Sequence, residues 1–402
     1  MKLNKLLPLL LAFLMLGGCA AIDKIELPAA DTNPPAEEQT TEPETPTESE
    51  VPAEPEQPAE PEVVLTPEEQ KVMTILDGMT LEEKVGQLFL ARCPADSAAQ
   101  KAADYALGGY ILFGQDFKDK TKDQAKADIA SYQEAAKTPM LIAVDEEGGT
   151  VNRVSRYSQF RSIPFKSPQA LYKEGGFDLI QTDAADKSRL LSSLGINVNM
   201  APVADITTDP DAFMYKRSFA KEAAETGKYV YNVTTVMEAE GMGSVLKHVP
   251  GYGNAGDSHT AITYDERPLD NFYSSDFLPF IEGIKAGADA ILVSHNIVTS
   301  MDADNPASLS PAVHQILRED LSFDGVIVTD DLYMDAIRTT MEIGEAAVRA
   351  VEAGNDLLCC TEFELQVPAV IEAVQSGRIS EDRIEESAMR ILLWKLELGL
   401  IG

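Results

Sequence analysis

Eight short, bulky, apolar runs separated by stretches of helical periodicity constrain this chain more than any other feature. They fall at 88–91, 109–113, 140–144, 197–201, 244–247, 290–293, 326–329 and 356–359. A strand covered on one face alternates apolar and polar side chains, whereas a strand buried on both faces reads as a continuous apolar run. Helical crossovers between such runs make neighbouring strands parallel. Eight repeats point to an α/β fold built as a single (β/α)8 barrel of the TIM type. The competing arrangement is a doubly wound open sheet. It rarely needs eight strands, and no glycine-rich dinucleotide loop follows the first run.

Several runs lead straight into residues suited to chemistry. The third ends in Asp145-Glu146-Glu147-Gly148-Gly149, the fifth in Lys247-His248, the sixth in Ser294-His295-Asn296 and the seventh in Asp330-Asp331. The C-terminal strand ends of such a barrel share one mouth, so all of these groups are expected to converge. Ahead of the first run, Thr66-Pro67-Glu68-Glu69 and Thr80-Leu81-Glu82-Glu83 have the N-cap and capping-box pattern. Two helices therefore precede the first strand.

The N-terminus reads differently. Two lysines, an apolar run at 6–16 and the sequence Leu16-Gly17-Gly18-Cys19 have the layout of a bacterial signal peptide, and the run is too short to span a bilayer comfortably. The small residues before Cys19 resemble a lipobox. Residues 1–19 are thus expected to be a lipoprotein signal, with Cys19 lipidated and the exported protein anchored to the membrane of the bacterial cell envelope. Residues 20–65 are dominated by Pro, Glu, Thr and Ala and cannot repay their ordering entropy, so they are expected to form a disordered acidic linker. Residues 66–402 suit one large barrel.

A formal charge of −33, with no basic patch, argues against a nucleic-acid partner. Apart from Cys19 the cysteines are Cys93, Cys359 and Cys360, which form neither a disulfide framework nor a zinc-ligand spacing. Asp145, His248, His295 and Asp330 at strand ends raise the thought of a metal, but catalytic zinc usually takes several closely spaced histidines. None occur, and no cofactor is expected.

Seven blocks, in order, resemble family 3 glycoside hydrolases, specifically the single-barrel β-N-acetylhexosaminidase branch. They are Met79-Thr80-Leu81-Glu82-Glu83-Lys84-Val85-Gly86-Gln87; Asp145-Glu146-Glu147-Gly148-Gly149 with Arg153; Ala201-Pro202-Val203-Ala204-Asp205; Lys216-Arg217-Ser218-Phe219; Lys247-His248-Val249-Pro250-Gly251-Tyr252-Gly253; Asp257-Ser258-His259; and Val328-Thr329-Asp330-Asp331-Leu332. The resemblance implies a carbohydrate substrate bearing terminal β-linked N-acetylglucosamine, as in peptidoglycan fragments. It implies Asp330 as nucleophile and His259 as acid/base, with Asp257 bonded to its other ring nitrogen. Asp145, Arg153, Arg217, Lys247 and His248 would line the terminal sugar subsite.

The chemistry is coherent. A retaining glycosidase needs one group to protonate the departing oxygen and a carboxylate to attack from the opposite face. Histidine titrates at about pH 6.5, and a carboxylate partner favours its charged form, so an imidazolium can donate near neutrality. Gly251, Gly253 and Gly256 thread the loop before the dyad, which is expected to close over substrate. Val249 and Tyr252 stand where relatives often carry Phe and His, and the stretch 253–257 looks one residue short. Two alternatives stay open: a phosphorylase acting on the same linkage, and a noncatalytic lipoprotein that binds cell-wall sugars.

Overall fold

The computed structural model describes residues 65–253 and 262–402. Cys19, the linker except for Leu65, Asp257 and His259 lie outside the described residues. Eight parallel strands form one sheet: β1 Phe89–Arg92, β2 Gly109–Leu112, β3 Leu141–Val144, β4 Val198–Asn199, β5 Gly243–Val249, β6 Ala290–Val293, β7 Val326–Thr329 and β8 Leu358–Cys360. They lie side by side in sequence order, with β8 returning beside β1. A parallel bridge between Val328 and Leu357 joins β7 to the start of β8. The sheet thereby comes round into the expected (β/α)8 barrel. Every residue of β3 and β7 is buried, as strands with a filled interior on one side and helices on the other must be.

The inner face follows from packing and register. A Cβ on Gly283, in the helix Phe277–Lys285, would meet Leu246 Cδ1, so Leu246 faces the helical layer. Its neighbour Lys247 therefore faces the barrel interior. Pairing of Lys247 with Leu292, and of Leu292 with Val328, carries that face to β7. In the other direction it runs from Gly243 through Val198, Ala143 and Ile111 to Arg92. Two residues beyond Ile111, Ala143 and Val328, the same face continues as Phe113, Asp145 and Asp330 at the mouth.

The helices Pro67–Asp77 and Leu81–Gln87 precede β1, and each opens with a complete capping box, Thr66 with Glu69 and Thr80 with Glu83. Three strands differ from their runs by two residues at an end. β4 keeps only two residues of 197–201. The Asn197 side chain accepts from Ile142 N and donates to Met140 O, and Pro202 has no N–H to extend the ladder. β8 starts two residues late because Asp356 is drawn into a buried hub with Arg318, Arg390, Ser387 and the backbone of Ile327. That hub fastens the last helix, Glu381–Glu397, beneath the barrel. β5 runs on past 247 to Val249, with a register shift against β6 between Lys247 and Val249. A small parallel pair, Tyr264–Asp265 with Ile297–Val298, has no periodic signature because each strand is two residues long.

Candidate active site

On a regular strand Lys247 and His248 would point to opposite faces. The register shift at this point re-aims the chain, and both side chains arrive at one cluster. Lys247 Nζ stands 2.7 Å from Glu147 Oε1. Arg217 grips the same carboxylate with two bonds of 2.7 and 3.1 Å. Arg217 Nη2 lies 3.4 Å from His248 Nε2. Residues 70 positions apart in the case of Arg217 and Glu147 are thus brought together by the loops after β3 and β4.

Lys247 is almost wholly buried, at 2% exposure, and also reaches Asp145 Oδ1 at 2.6 Å. Burial alone would discourage its charge, but Asp145 and Glu147 outweigh that and raise its pKa. Burial likewise pushes the Glu147 carboxyl up, yet Lys247 and Arg217 together hold it well below the usual carboxylate range. Arg153 stands 3.6 Å from Asp145 Oδ2. The cluster is therefore a fixed set of charged donors and acceptors, suited to sugar hydroxyls that demand directional hydrogen bonds.

Three residues with no role assigned from the sequence hold this set. Asp205 takes His248 Nδ1 at 2.7 Å and the backbone N–H of His248 and Tyr252 at 3.1 and 2.9 Å. A carboxylate can only accept, so Nδ1 carries the proton. Glu146, fully buried, accepts from the backbone N–H groups of Arg153, Val154 and Ser155 and from the Ser155 hydroxyl. It shapes the loop that delivers Glu147 and Arg153. Glu147 is itself the acid at the centre of the cluster. Gly148 is required there: its φ is +98° and a Cβ would lie 2.2 Å from Lys166 O.

Across the mouth, Asp330 follows β7; its N–H donates to Val293 O at 2.9 Å, continuing the ladder, and its Oδ1 accepts from Asp331 N. Asp331 turns away to accept from the Thr361 hydroxyl and Tyr333 N, and burial pushes its carboxyl up. His295 bonds Ser308 Oγ and the Asp331 carbonyl. It supports the backbone behind Asp330.

The chain leaves the described residues after Gly253 and re-enters at Ile262. Both flanks are tightly seated. Gly251, at φ +115°, has room for no Cβ against Asp276, and Gly253, at φ +51°, none against Arg267. Arg267 pairs with Asp265 at 2.7 Å and Asp276 at 3.0 Å. Burial dominates at Asp276 and, despite Arg267, pushes its carboxyl up to about 6. Tyr252, one of the departures noted above, is buried edge-on to His248 with ring centres 5.2 Å apart. Val249, the other, is a buried core residue.

Comparison with known proteins agrees with this fold. Residues 80–393 match the model of the glycosyl hydrolase family 3 N-terminal domain. A β-hexosaminidase of Methylococcus capsulatus is 32% identical over 276 residues, covering 68% of this chain and 81% of that protein. The structure of a glycoside hydrolase family 3 β-N-acetylglucosaminidase from Paenibacillus sp. FPU-7 superimposes with a TM-score of 0.75 at 32% identity, over 81% of this chain and 64% of that one. Mycobacterium tuberculosis LpqI gives a TM-score of 0.72 at 28% identity, covering 80% of this chain and 95% of that one.

Proposed function

Because the chain belongs to glycosyl hydrolase family 3, we propose that it is a retaining, exo-acting β-N-acetylglucosaminidase that removes terminal β-linked N-acetylhexosamine from peptidoglycan fragments or related glycans. The observation that carries the reading is the placement of Asp330 on the same inner face of the barrel as Asp145 and Lys247, at one mouth.

In this mechanism Asp145, Arg153, Arg217, Lys247 and His248 hold the terminal sugar. Asp330 attacks the anomeric carbon from the face opposite the leaving oxygen. His259, oriented by Asp257, protonates that oxygen and then takes the proton of the water that releases the sugar from Asp330. Cys19 carries the lipid anchor, residues 20–65 act as a spacer, and the barrel of residues 66–402 works at the surface of the cell envelope.

The test is release of chromophore from an aryl β-N-acetylglucosaminide by the barrel, with Asp330→Ala and His259→Ala alongside and each run with and without phosphate. Turnover lost in Asp330→Ala and strongly reduced in His259→Ala supports the reading. A sugar 1-phosphate product would make the enzyme a phosphorylase. Turnover only of β-glucosides or β-xylosides would overturn the N-acetylglucosamine specificity.

A further inference from the structure

Two loops deliver the two halves of the Arg217–Glu147 bridge, and one helix stands behind both. The helix Pro168–Ser193 is broken at Gly175 and Gly176, where the backbone leaves helical geometry. Gly176 has φ +64° and ψ −152°, a combination that belongs to glycine. The break divides the helix into two segments with separate tasks.

The segment before the break grips the loop that carries Arg217. Gln169 Nε2 donates to Tyr215 O at 2.5 Å and to Ser218 O at 3.2 Å, carbonyls that flank Arg217. Tyr172 packs edge-on to Phe219 with ring centres 5.1 Å apart, and Phe219 stacks on Tyr229 at 4.9 Å. The segment after the break grips Glu147. Lys187 Nζ donates to the Glu147 carbonyl at 3.0 Å and pairs with Asp183 Oδ2, one helical turn away, at 2.7 Å. A Cβ on Gly148 would lie 3.4 Å from the same ammonium. Asp183 and Lys187 are only 9% and 13% exposed, so salt screens their attraction little.

Between the two grips lies a cavity lined by Leu171, Ile180, Asp183, Lys187, Tyr229 and Glu147. Apolar packing is incomplete on that side and cannot by itself fix the Glu147 backbone, whereas a directional, charge-assisted bond can. Both Lys187 and Gln169 bond backbone carbonyls rather than the side chains that would meet a sugar. Their effect is therefore on position.

We propose that the broken helix is the positioning frame of the sugar site, with Lys187, steadied by Asp183, and Gln169 as positioning residues that set Glu147 against Arg217. The frame deepens the glycosidase reading and rests on it for what the Glu147–Arg217 pair serves.

The test has one readout with substrate and one without. Lys187→Met removes the bond to the Glu147 carbonyl and keeps the length of the side chain. It should raise KM for an aryl β-N-acetylglucosaminide about tenfold or more, with kcat changed much less. Gln169→Leu should raise KM in the same sense. Asp183→Asn should give a smaller rise, and the variant carrying both Asp183→Asn and Lys187→Met should be no worse than Lys187→Met alone, because the carboxylate acts through the ammonium. Asp183→Asn carries the test if Lys187→Met does not fold. Without substrate, Arg217 Nη2 at 3.4 Å from His248 Nε2 makes that ring a reporter. The His248 ring resonances should move in Lys187→Met and Gln169→Leu, while those of His314, bonded to Ser310 O, stay in place. Where the wild type turns over, an unchanged KM in these variants, even with a lower melting temperature, overturns the proposal, as does a double variant whose losses simply add. Where the wild type cleaves no N-acetylglucosaminide, the glycosidase reading fails on its own, and the His248 resonances decide: moved, the frame stands; unmoved, it falls.

Discussion

Lys247 and Asp145, 102 positions apart in the chain, meet at 2.6 Å at the mouth of the barrel. Lys247 also stands 2.7 Å from Glu147 and, with Arg217, neutralises it. Its replacement by methionine leaves two carboxylates short of a partner in a poorly hydrated place. Loss of one member of a buried pair costs about 3 kcal/mol or more, although Arg217 still grips Glu147. Lys247→Met should therefore lower both the urea midpoint and kcat/KM, the latter by about a hundredfold or more.

Arg217 to lysine is a conservative change in charge only. The two bonds of Arg217 to Glu147 and its approach to His248 need the planar fork. Arg217→Lys is expected to lose about tenfold or more in kcat/KM on a chromogenic β-N-acetylglucosaminide, with little change in melting temperature relative to Lys247→Met.

Asp205 acts through His248. An asparagine there presents an amide that no longer demands a proton on Nδ1, and outer partners of this kind are commonly worth about 10–100-fold. Asp205→Asn should raise KM more than it lowers kcat, and the His248 ring N–H resonance should shift or broaden in the NMR spectrum. An unchanged KM and an unchanged resonance would contradict the positioning role.

Asp276 gives a pH prediction with a definite sign. Its pKa is about 6 in the folded chain against 3.8 for the free group, so the folded state binds the proton more tightly. The associated stability is fully present below about pH 4 and is lost as pH rises through 6. Asp276→Asn should flatten that part of the stability profile, by an amount on the order of 2–3 kcal/mol between pH 4 and 7. Denaturation midpoints of wild type and variant across that range check it; parallel profiles would count against the assignment.

The barrel was legible in the sequence because strands buried on both faces leave a plain signal, and β6 and β7 occupy the runs 290–293 and 326–329 without adjustment. Boundaries slipped where a polar side chain competes with the ladder, as at Asn197 and Asp356. Lys247, Asp145 and Arg217 were marked by chemistry at strand ends and by resemblance to relatives. Asp205 and Glu147 stood inside the same blocks, and only the partner each one finds in space gives it a task.

The most direct test of the central claim is mass spectrometry of enzyme incubated with a fluorinated N-acetylglucosaminide that forms a glycosyl-enzyme quickly and releases it slowly. A retaining mechanism with Asp330 as nucleophile predicts a mass increase of one sugar, mapping to the peptide that contains Asp330 and absent from Asp330→Ala. An adduct on another carboxylate, or no adduct together with a first-formed product of inverted anomeric configuration, would contradict it.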